Sequence, residues 1–530
     1  MSPYFLLHVY PVILVGVFVV WATLASLNAN SLAAPFKTLV SKRGSAAALL
    51  LALAFLVVRI AVVPPRHQVY FDEFLHENIA SNIARYGVFG ESVAGGEEGL
   101  NEFRVPAWPA GQHVLLASVF RVFGYSETAA FRFGAVCGAG SVLLIFLLAA
   151  LLFKSEAAGL CAALFLSALP LHFRFSGATD LTACSEFWIL TSLLTLALHL
   201  ELQVLPSYVL MLLSLVYACH VRVENLLLVP FAAAVLMLSR RKPRSGPKDG
   251  SLVASSIALL LLAPLAALLL TNRDAGLAGY SNSMLEMLGN EVRNGIANAM
   301  YFLATPAVTF LLLPLAAAGL VRLPAPQRAR SLSLLLLGAA YAALCSMHVM
   351  ASFRDGIFDH LALPTFLCIV LAAAGGLASM RIRRFQPALI ALVMLAFIGM
   401  NKSAYGKGPL ARYENEYRLV QGAQALLPPD AVVLTFCPPL ILAVADRKAL
   451  SPFALTGNSF DLETRLGAWD SERVIVFKDV WWYKFSEASS AVEKILRLKY
   501  RFQPIVTAQI DSKEYGFYRL VPLGNPARKR

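Results

Sequence analysis

The sequence contains about twelve apolar runs that approach or exceed the length needed to cross a bilayer as helices. These runs are continuous and do not alternate with a period of two residues, which argues against a membrane β-barrel. We therefore predict a polytopic α-helical membrane protein. The predicted spans are residues 4–27, 45–63, 128–153, 157–173, 183–203, 206–220, 221–238, 252–270, 299–321, 331–350, 361–378 and 387–400.

Composition supports this class. Of the 530 residues, 58% are hydrophobic and 15% are charged, whereas a soluble protein has about 25% charged residues. The net charge is +13, but much of the basic charge lies in short loops between runs, which indicates membrane topology and not a nucleic-acid partner. Six of the seven cysteines lie inside apolar runs, so no disulfide framework is predicted.

The loop charges predict the orientation. Positively charged loops stay on the cytoplasmic side of an inner (plasma) membrane, so the alternate loops and both termini are predicted to be extracytoplasmic. The basic residues that set this orientation are Lys37, Lys42, Arg43, Arg240, Arg241, Lys242, Arg244, Lys248, Arg322, Arg328, Arg330, Arg381, Arg383 and Arg384.

Two domains are predicted. Residues 1–400 form a transmembrane domain whose outer loop spans 64–127, and residues 401–530 form a soluble extracytoplasmic domain. In the latter, strand-like runs at 431–436, 473–477, 505–510 and 516–521 alternate with helical stretches, which is typical of a small α/β sheet. The aromatic cluster at 481–483 is open to two interpretations, a surface for sugar or lipid headgroups and a part of the core.

The first outer loop carries the densest group of ionisable residues near a predicted membrane boundary. Asp72, Glu73, His76 and Glu77 fall within six residues. Helical steps of 100° place Asp72 on the apolar stripe of its helix, whereas Glu73 and Glu77 point elsewhere. A carboxylate on a docking face requires a partner or a function. The alternative is that Asp72 only caps the helix.

A second apolar helix is predicted at 108–123, so the loop would hold two interfacial helices that form a cradle for a lipid headgroup. The glycine-rich stretch at 95–99 between them is predicted to be a loop tip, with Glu97 and Glu98 solvated.

Further polar clusters are predicted on the outer face. Each has a structural interpretation: Arg132 is buried and pairs with Glu127 or an acid of the first loop, Asp180 caps the next span, and Arg222 pairs with Glu224. Together, arginines on one face suit a phosphate, which they bind bidentately. The clusters comprise Arg132, then Arg174 and Asp180, then His220, Arg222 and Glu224, then Arg354, Asp355, Asp359 and His360.

Several of these motifs resemble those of the GT-C glycosyltransferases, closest to the protein O-mannosyltransferase and aminoarabinose-transferase-like group. Asp72-Glu73, His76, Ile79-Ala80, 82–84 and Gly87 resemble the first-loop signature. Residues 102–106, residues 123–127 with Arg132, and residues 173–176 with Asp180 resemble three further family motifs. The likeness covers roughly residues 45–240, and Val105 departs from it where relatives often have a second proline.

The resemblance implies a sugar donor on a polyprenyl phosphate and a lipid, glycan or protein acceptor. It implies that Asp72 takes the acceptor's proton, with Glu73 and His76 tuning it, and that transfer inverts the anomeric centre. Arg104, Arg132, Arg222 and Arg354 are the expected phosphate ligands, Arg132 foremost. Glu102, Asp180 and His360 are further site candidates. The metal stays open, since some GT-C enzymes use a divalent cation and others do not.

Two other functions stay open on the sequence. A transporter or lipid flippase fits the span count, although no inverted repeats or mid-span acids are evident. A membrane scaffold that binds a partner through its C-terminal domain would not account for the acids of the first loop.

Overall fold

The structure, a computed structural model, describes residues 2–63, 66–95, 101–239, 248–272, 284–347, 353, 359–380, 386–405, 411–454, 457–460, 473–484, 486–510 and 512–523. The chain divides into two compact units. We call residues 1–68 with 107–408 the membrane unit, and residues 69–106 with 409–530 the sheet unit.

The membrane unit is helical throughout its described residues. Short π-helical or 3₁₀ segments (Phe5–Val9, Val58–Val62, Val223–Leu227, Val308–Leu312 and Asp359–Ala362) extend or join the α-helices. The α-helices are Tyr10–Leu27, Ala29–Lys37, Lys42–Val57, Gly111–Phe123, Glu127–Phe153, Glu156–Ser167, Pro170–Phe175, Thr182–Leu202, Leu205–Val221, Leu228–Leu238, Lys248–Leu261, Ala263–Thr271, Met284–Ala304, Leu313–Arg322, Ala325–Ser346, Leu363–Ser379 and Gln386–Tyr405.

Among the described residues, seven helices are long and apolar enough to cross a membrane. An eighth span results if Leu285–Ala304 and Val308–Arg322, which bend by 70° relative to each other, count as one. The prediction of a polytopic helical membrane protein is confirmed, whereas the number twelve stays a prediction. Four of the predicted spans correspond to the shorter apolar helices Glu156–Ser167, Leu205–Val221, Val223–Leu238 and Ile390–Met400.

Prolines explain two of the departures from the predicted spans. The run at 157–173 is not one helix, because the chain leaves the helix after Ser167 and restarts with Pro170 at its first position. The run at 299–321 breaks after Ala304, where Pro306 disfavours helical geometry at Thr305.

The sheet unit is built on seven strands in the order β2-β1-β4-β3-β7-β9-β8, with β5 and β6 forming a separate pair. Strand β3 pairs in parallel with β4 and β7, and the other pairings are antiparallel. The strands are β1 Glu91–Gly95, β2 Glu102–Arg104, β3 Val432–Leu434, β4 Lys448–Leu450, β5 Phe453–Ala454, β6 Gly457–Phe460, β7 Val474–Lys478, β8 Tyr500–Ile510 and β9 Lys513–Pro522. The helices are Phe71–Tyr86, Ala411–Ala423, Pro438–Leu440, Ile441–Ala445, Val480–Lys484 and Ser486–Lys499.

The strands are apolar on both faces, which is why helices cover each side. Because side chains alternate along a strand, Val433 and Phe477 face one apolar cluster, whereas Val432 and Val476 face the other. The first cluster includes Tyr70, Phe71 and Phe74 from the start of the acidic helix. The second includes Trp482, so the aromatic stretch at 481–483 contributes at least one ring to the core.

The contacts of the first outer loop divide it differently from the predicted domains, whose boundaries stay a prediction. Residues 64–127 were expected to stay with the transmembrane domain, but 69–106 cluster with the C-terminal region. The hairpin β1–β2 joins the C-terminal sheet, with Ala94 of β1 opposite Leu450 of β4.

The helix expected at 108–123 is present as Gly111–Phe123. Its interfacial position stays a prediction, as does that of Phe71–Tyr86. Glu97 and Glu98 lie outside the described residues.

Candidate functional site

The acidic helix Phe71–Tyr86 begins at a strained residue. Tyr70, which precedes it, has φ 54° and ψ −85°, a backbone conformation that is unfavourable for a residue with a side chain. Tyr70 is held there by burial, because its ring lies 4.7 Å from that of Phe71 and 5.4 Å from that of Phe74 between centroids. The helix ends at Gly87, which adopts the left-handed conformation of a helix C-terminus at φ 68°.

The first turn of this helix carries Asp72 and Glu73, where the helix dipole favours negative charge. Glu73 is fully buried and its Oε1 accepts a hydrogen bond from the backbone N–H of Val69 at 2.7 Å. The capping alternative for Asp72 is therefore wrong. Tyr70 is the N-cap residue, and Glu73 makes the bond that reaches back across the helix start.

The predicted apolar stripe also needs correction. Glu73, His76 and Glu77 are all buried, whereas Asp72 is partly exposed. Buried residues occur on nearly all sides of the helix from Phe71 to Ile83, so the buried surface is not a single stripe. Partial exposure leaves the Asp72 carboxylate accessible to a second molecule, which a general base requires.

Two asparagines of this helix, Asn78 and Asn82 (the latter part of the first-loop motif), hold the hairpin on it. The backbone N–H of Ser92 donates to Oδ1 of Asn78 at 2.9 Å. The side-chain amide of Asn82 donates to the carbonyl of Gly90 at 2.8 Å and to Oγ of Ser92 at 3.0 Å. Both asparagines are buried. Their contacts are structural, because they fix the chain that leaves the acidic helix.

Arg104 lies in β2 opposite Glu91 of β1 and binds its carboxylate through Nε at 2.9 Å and Nη2 at 2.6 Å. Glu102, two residues earlier, is partly buried. Arg104 is thus a member of a cross-strand ion pair, and its expected role as a phosphate ligand stays a prediction.

A pair of buried carboxyl groups lies in the apolar core beneath Tyr70. Asp479 accepts hydrogen bonds from Oγ1 of Thr435 at 2.7 Å and from the backbone N–H of Trp482 at 2.8 Å. Burial raises the pKa of Asp479 to about 6 despite these bonds. Burial, and then the charge of Asp479, raise the pKa of Glu416 well above its ordinary value. Within the described residues, Oε2 of Glu416 has no hydrogen-bond partner.

Both carboxyl groups interact electrostatically with the phenol of Tyr70, the residue that precedes the acidic helix. Burial raises the pKa of the Tyr70 phenol, and the charges of Glu416 and Asp479 add to the effect. Sequence reasoning missed the cluster, because Glu416 and Asp479 are separate acids in a region that was interpreted only for its secondary structure.

On the membrane unit, Arg174 is the hub of a polar network. Its Nη1 binds Oδ2 of Asp359 at 2.8 Å and its Nε donates to Oε1 of Gln68 at 3.2 Å. Nη2 of Arg174 and Oδ1 of Asp359 are buried without hydrogen-bond partners in the described parts of the chain. His360 is also buried, with its ring centroid 5.4 Å from that of Phe175.

Arg59 is a second cation of this region, and sequence reasoning missed it. Its side chain is 5% exposed, its guanidinium carbon lies 4.9 Å from the ring centroid of Phe173, and no described carboxylate pairs with it. A Cβ on Gly177 would fall 1.1 Å from its Nη2, so glycine provides the space that the guanidinium occupies. The available signal was a single arginine within the otherwise apolar run at 45–63.

The remaining predicted residues are placed as follows. Arg132 was expected to be buried, but it is exposed on its helix, so burial gives no reason for an anionic partner there. Arg222 pairs with Oε2 of Glu224 at 3.2 Å, which confirms the local ion pair. The carboxylate of Asp180 accepts from the backbone N–H of Thr182 at 3.1 Å, although the N-cap residue of that span is Leu181. Arg354 lies outside the described residues.

No group of three or more metal-ligating side chains occurs in the described residues. The use of a divalent cation therefore stays open. The phosphate-binding roles of Arg104, Arg132, Arg222 and Arg354 stay predictions, as do the roles of Glu102, Asp180 and His360.

With this geometry in view, comparisons with known proteins identify the fold. Residues 109–268 match the family described as dolichyl-phosphate-mannose-protein mannosyltransferase. No curated protein sequence matches the chain. The family match lies in the membrane unit and does not include Asp72.

Three solved structures are similar over most of this chain. ArnT from Cupriavidus metallidurans bound to undecaprenyl phosphate has a TM-score of 0.57 at 12% identity, covering 90% of this chain and 98% of that one. Its apo state has a TM-score of 0.57 at 12% identity, covering 89% and 97%. The apo oligosaccharyltransferase of Archaeoglobus fulgidus has a TM-score of 0.50 at 12% identity, covering 91% and 76%. The predicted resemblance to the GT-C glycosyltransferases is confirmed, and these identities carry the fold alone.

The buried carboxyl pair generates a prediction about pH. Asp479 has a higher pKa folded than unfolded, so folding is favoured by protonation, and stability is lost as pH rises from about 4 through about 6. A shift of about 2 pKa units corresponds to about 3 kcal/mol. Glu416→Gln removes a second buried carboxyl group whose pKa is raised, so the sheet unit should lose less stability between pH 5 and pH 7. Hydrogen exchange of peptides from 411–423 and 473–484 in the full-length protein measures this.

Glu414→Gln is the matched control, because Glu414 lies on the same helix and pairs at the surface with Arg418. Its exchange should retain the wild-type pH dependence. An unchanged pH dependence in Glu416→Gln would show that the two carboxyl groups do not titrate as a coupled pair.

Proposed function

We propose that this chain, a glycosyltransferase of the GT-C type by its family match and its fold, moves a sugar from a polyprenyl-phosphate donor to an acceptor on the extracytoplasmic side of the inner membrane. The observation that carries the proposal is the acidic helix. A GT-C first-loop motif is folded here as a helix whose start is strained and whose first turn offers one partly exposed carboxylate, Asp72, among buried acids. ArnT, which shares the fold, has been solved with undecaprenyl phosphate.

In this proposal Asp72 is the general base. The acceptor oxygen attacks the anomeric carbon while the bond from that carbon to the phosphate oxygen breaks, and the acceptor's proton passes to the Asp72 carboxylate. The polyprenyl phosphate leaves with the bonding electron pair. A single displacement inverts the anomeric centre, so no second carboxylate is needed as a nucleophile. Glu73 is a positioning residue, because its bond to Val69 fixes the helix start.

We assign the stabilisation of the leaving phosphate to Arg59 and Arg174. A guanidinium buried in a low-dielectric region is costly unless an anion accompanies it. Arg59 has no carboxylate partner among the described residues, and Arg174 has one buried nitrogen that its bonds to Asp359 and Gln68 leave unsatisfied. Arg59 contacts the segment 173–177 at Phe173 and Gly177, and Arg174 is part of that segment. Fixed cations of this kind stabilise charge that develops on a leaving phosphate.

Nothing in the described parts of the chain favours the transporter or the scaffold. A transporter fold would be expected to show polar groups at mid-membrane between repeats. Among the described residues of the membrane unit, the most buried arginine–acid pair is instead Arg174 with Asp359, on the short helical segments Pro170–Phe175 and Asp359–Ala362.

Asp72→Asn tests the base. Loss of a general base lowers rates by about 10²–10⁴-fold, so the variant should fold normally and form at least about a hundredfold less sugar-modified product. Mass spectrometry of membrane lipids and glycans from cells that make either protein measures the product. Asp446→Asn is the matched control, because Asp446 is an exposed acid of the same unit in a left-handed conformation that asparagine tolerates. A folded Asp72→Asn variant with wild-type product would overturn the assignment.

Gly177→Ala and Arg59→Gln test the phosphate ligand by two routes. The alanine methyl group would displace the Arg59 guanidinium, and glutamine removes its charge. Loss of one charged hydrogen bond weakens binding by about tenfold or more, so both variants should bind undecaprenyl phosphate about tenfold more weakly in native mass spectrometry. Gly16→Ala is the control, since a Cβ there meets nothing within 4 Å. Wild-type binding by both variants would exclude Arg59 as a ligand.

A further inference from the structure

A cavity of about 310 Å³ opens in the membrane unit between four helices. It lies beside the C-terminal ends of Glu127–Phe153, Thr182–Leu202 and Leu228–Leu238 and the first half of Ala325–Ser346. Arg174 precedes the N-terminal end of Thr182–Leu202, so the cavity lies at the other end of that helix. Its wall is mostly apolar, with Leu148, Leu196, Phe231, Val235 and Leu334 among the lining residues.

Charged groups collect at one side of this cavity. Glu201 lines it and pairs with Nζ of Lys154 at 2.8 Å and with Nη2 of Arg330 at 3.5 Å. Arg330, which also lines it, donates through Nη1 to the carbonyl of Leu152 at 2.7 Å. Two cations therefore face one carboxylate. The hydroxyls of Ser239 and Ser333 are the other polar side chains of the lining.

We propose that this cavity binds one anionic phospholipid from the leaflet that faces the basic loops. An acyl chain fills the apolar space and the phosphate lies against Arg330 and Lys154. The excess of cations over carboxylates selects an anionic headgroup over a zwitterionic one, and Glu201 competes with the phosphate for both cations. Helix capping explains the bond from Arg330 to Leu152, but it explains neither the second cation nor the apolar space.

The site is separate from the proposed sugar transfer. The proposed donor phosphate ligands, Arg59 and Arg174, lie on other segments, Val58–Val62 and Pro170–Phe175, and neither lines the cavity, so a phospholipid here would not occupy their position. Variants of the cavity should therefore alter lipid binding while sugar transfer continues.

Native mass spectrometry of the purified full-length protein with added phosphatidylglycerol, phosphatidylcholine or undecaprenyl phosphate tests the proposal. Wild type should bind one phosphatidylglycerol at least about tenfold more tightly than phosphatidylcholine. Arg330→Ala should lose that preference, whereas Glu201→Gln should strengthen phosphatidylglycerol binding because it releases both cations. Arg328→Ala is the matched control, since Arg328 is exposed on the same helix and does not line the cavity.

Ala197→Trp fills the cavity and should abolish the tightly bound lipid. Because tryptophan there could prevent folding, the charge variants Arg330→Ala and Glu201→Gln decide the matter without it. Equal binding of the two phospholipids by wild type, an unchanged preference in Arg330→Ala, or stronger binding of undecaprenyl phosphate that depends on Arg330 would each overturn the proposal.

Discussion

The packing of Tyr70, Phe71 and Phe74 into one face of the sheet is the interaction on which the acidic helix depends. Full burial of one aromatic ring contributes about 1.5–3 kcal/mol, whereas a strained backbone conformation costs about 1–3 kcal/mol. Three buried rings therefore offset the strain at Tyr70 and still hold the helix. The position of Asp72 follows, since it is fixed to a helix whose start cannot relax without exposing these rings.

A second constraint acts in the membrane unit, where charge must be balanced away from water. The carboxylate of Asp359 pairs with Arg174, and the lack of a side chain at Gly177 leaves space for the Arg59 guanidinium. Burying these guanidinium groups costs desolvation free energy. Hydrophobic residues in place of a buried ion pair are often as stable, so stability alone does not explain the arrangement. In the proposed function the two cations stabilise a leaving phosphate, which needs fixed positive charge and no proton donor.

Much of the architecture could be predicted from the sequence, because a bilayer admits few solutions for continuous apolar runs. The acidic helix was predictable from its local helical periodicity. The hairpin β1–β2 was not, since strand β1 is five residues long, carries Glu91 and Ser92, and finds its partner β4 far along the chain. Pairing at that distance leaves no local periodicity to recognise.

The candidate site was predictable in kind but not residue by residue. Sequence position placed Arg132 near the start of a predicted span. Position along one helix does not reveal which neighbours cover a side chain, and Arg132 is exposed whereas Arg59 is buried. In the same way, the sequence allowed Asp72 to be the N-cap residue. In the structure the buried aromatic residues make Tyr70 the N-cap, and Glu73 accepts the hydrogen bond from the backbone of Val69. Tertiary packing decided each of these cases.

The central claim is that a sugar leaves a lipid phosphate and becomes covalently bound to an acceptor. It is tested most directly by incubating the purified protein in liposomes with a membrane lipid extract and following donor and product by mass spectrometry. The account predicts that glycosylated polyprenyl phosphate declines while polyprenyl phosphate and a one-sugar-heavier acceptor rise in equal amounts. Redistribution of an unmodified solute or lipid across the bilayer, with no covalent product, would contradict it.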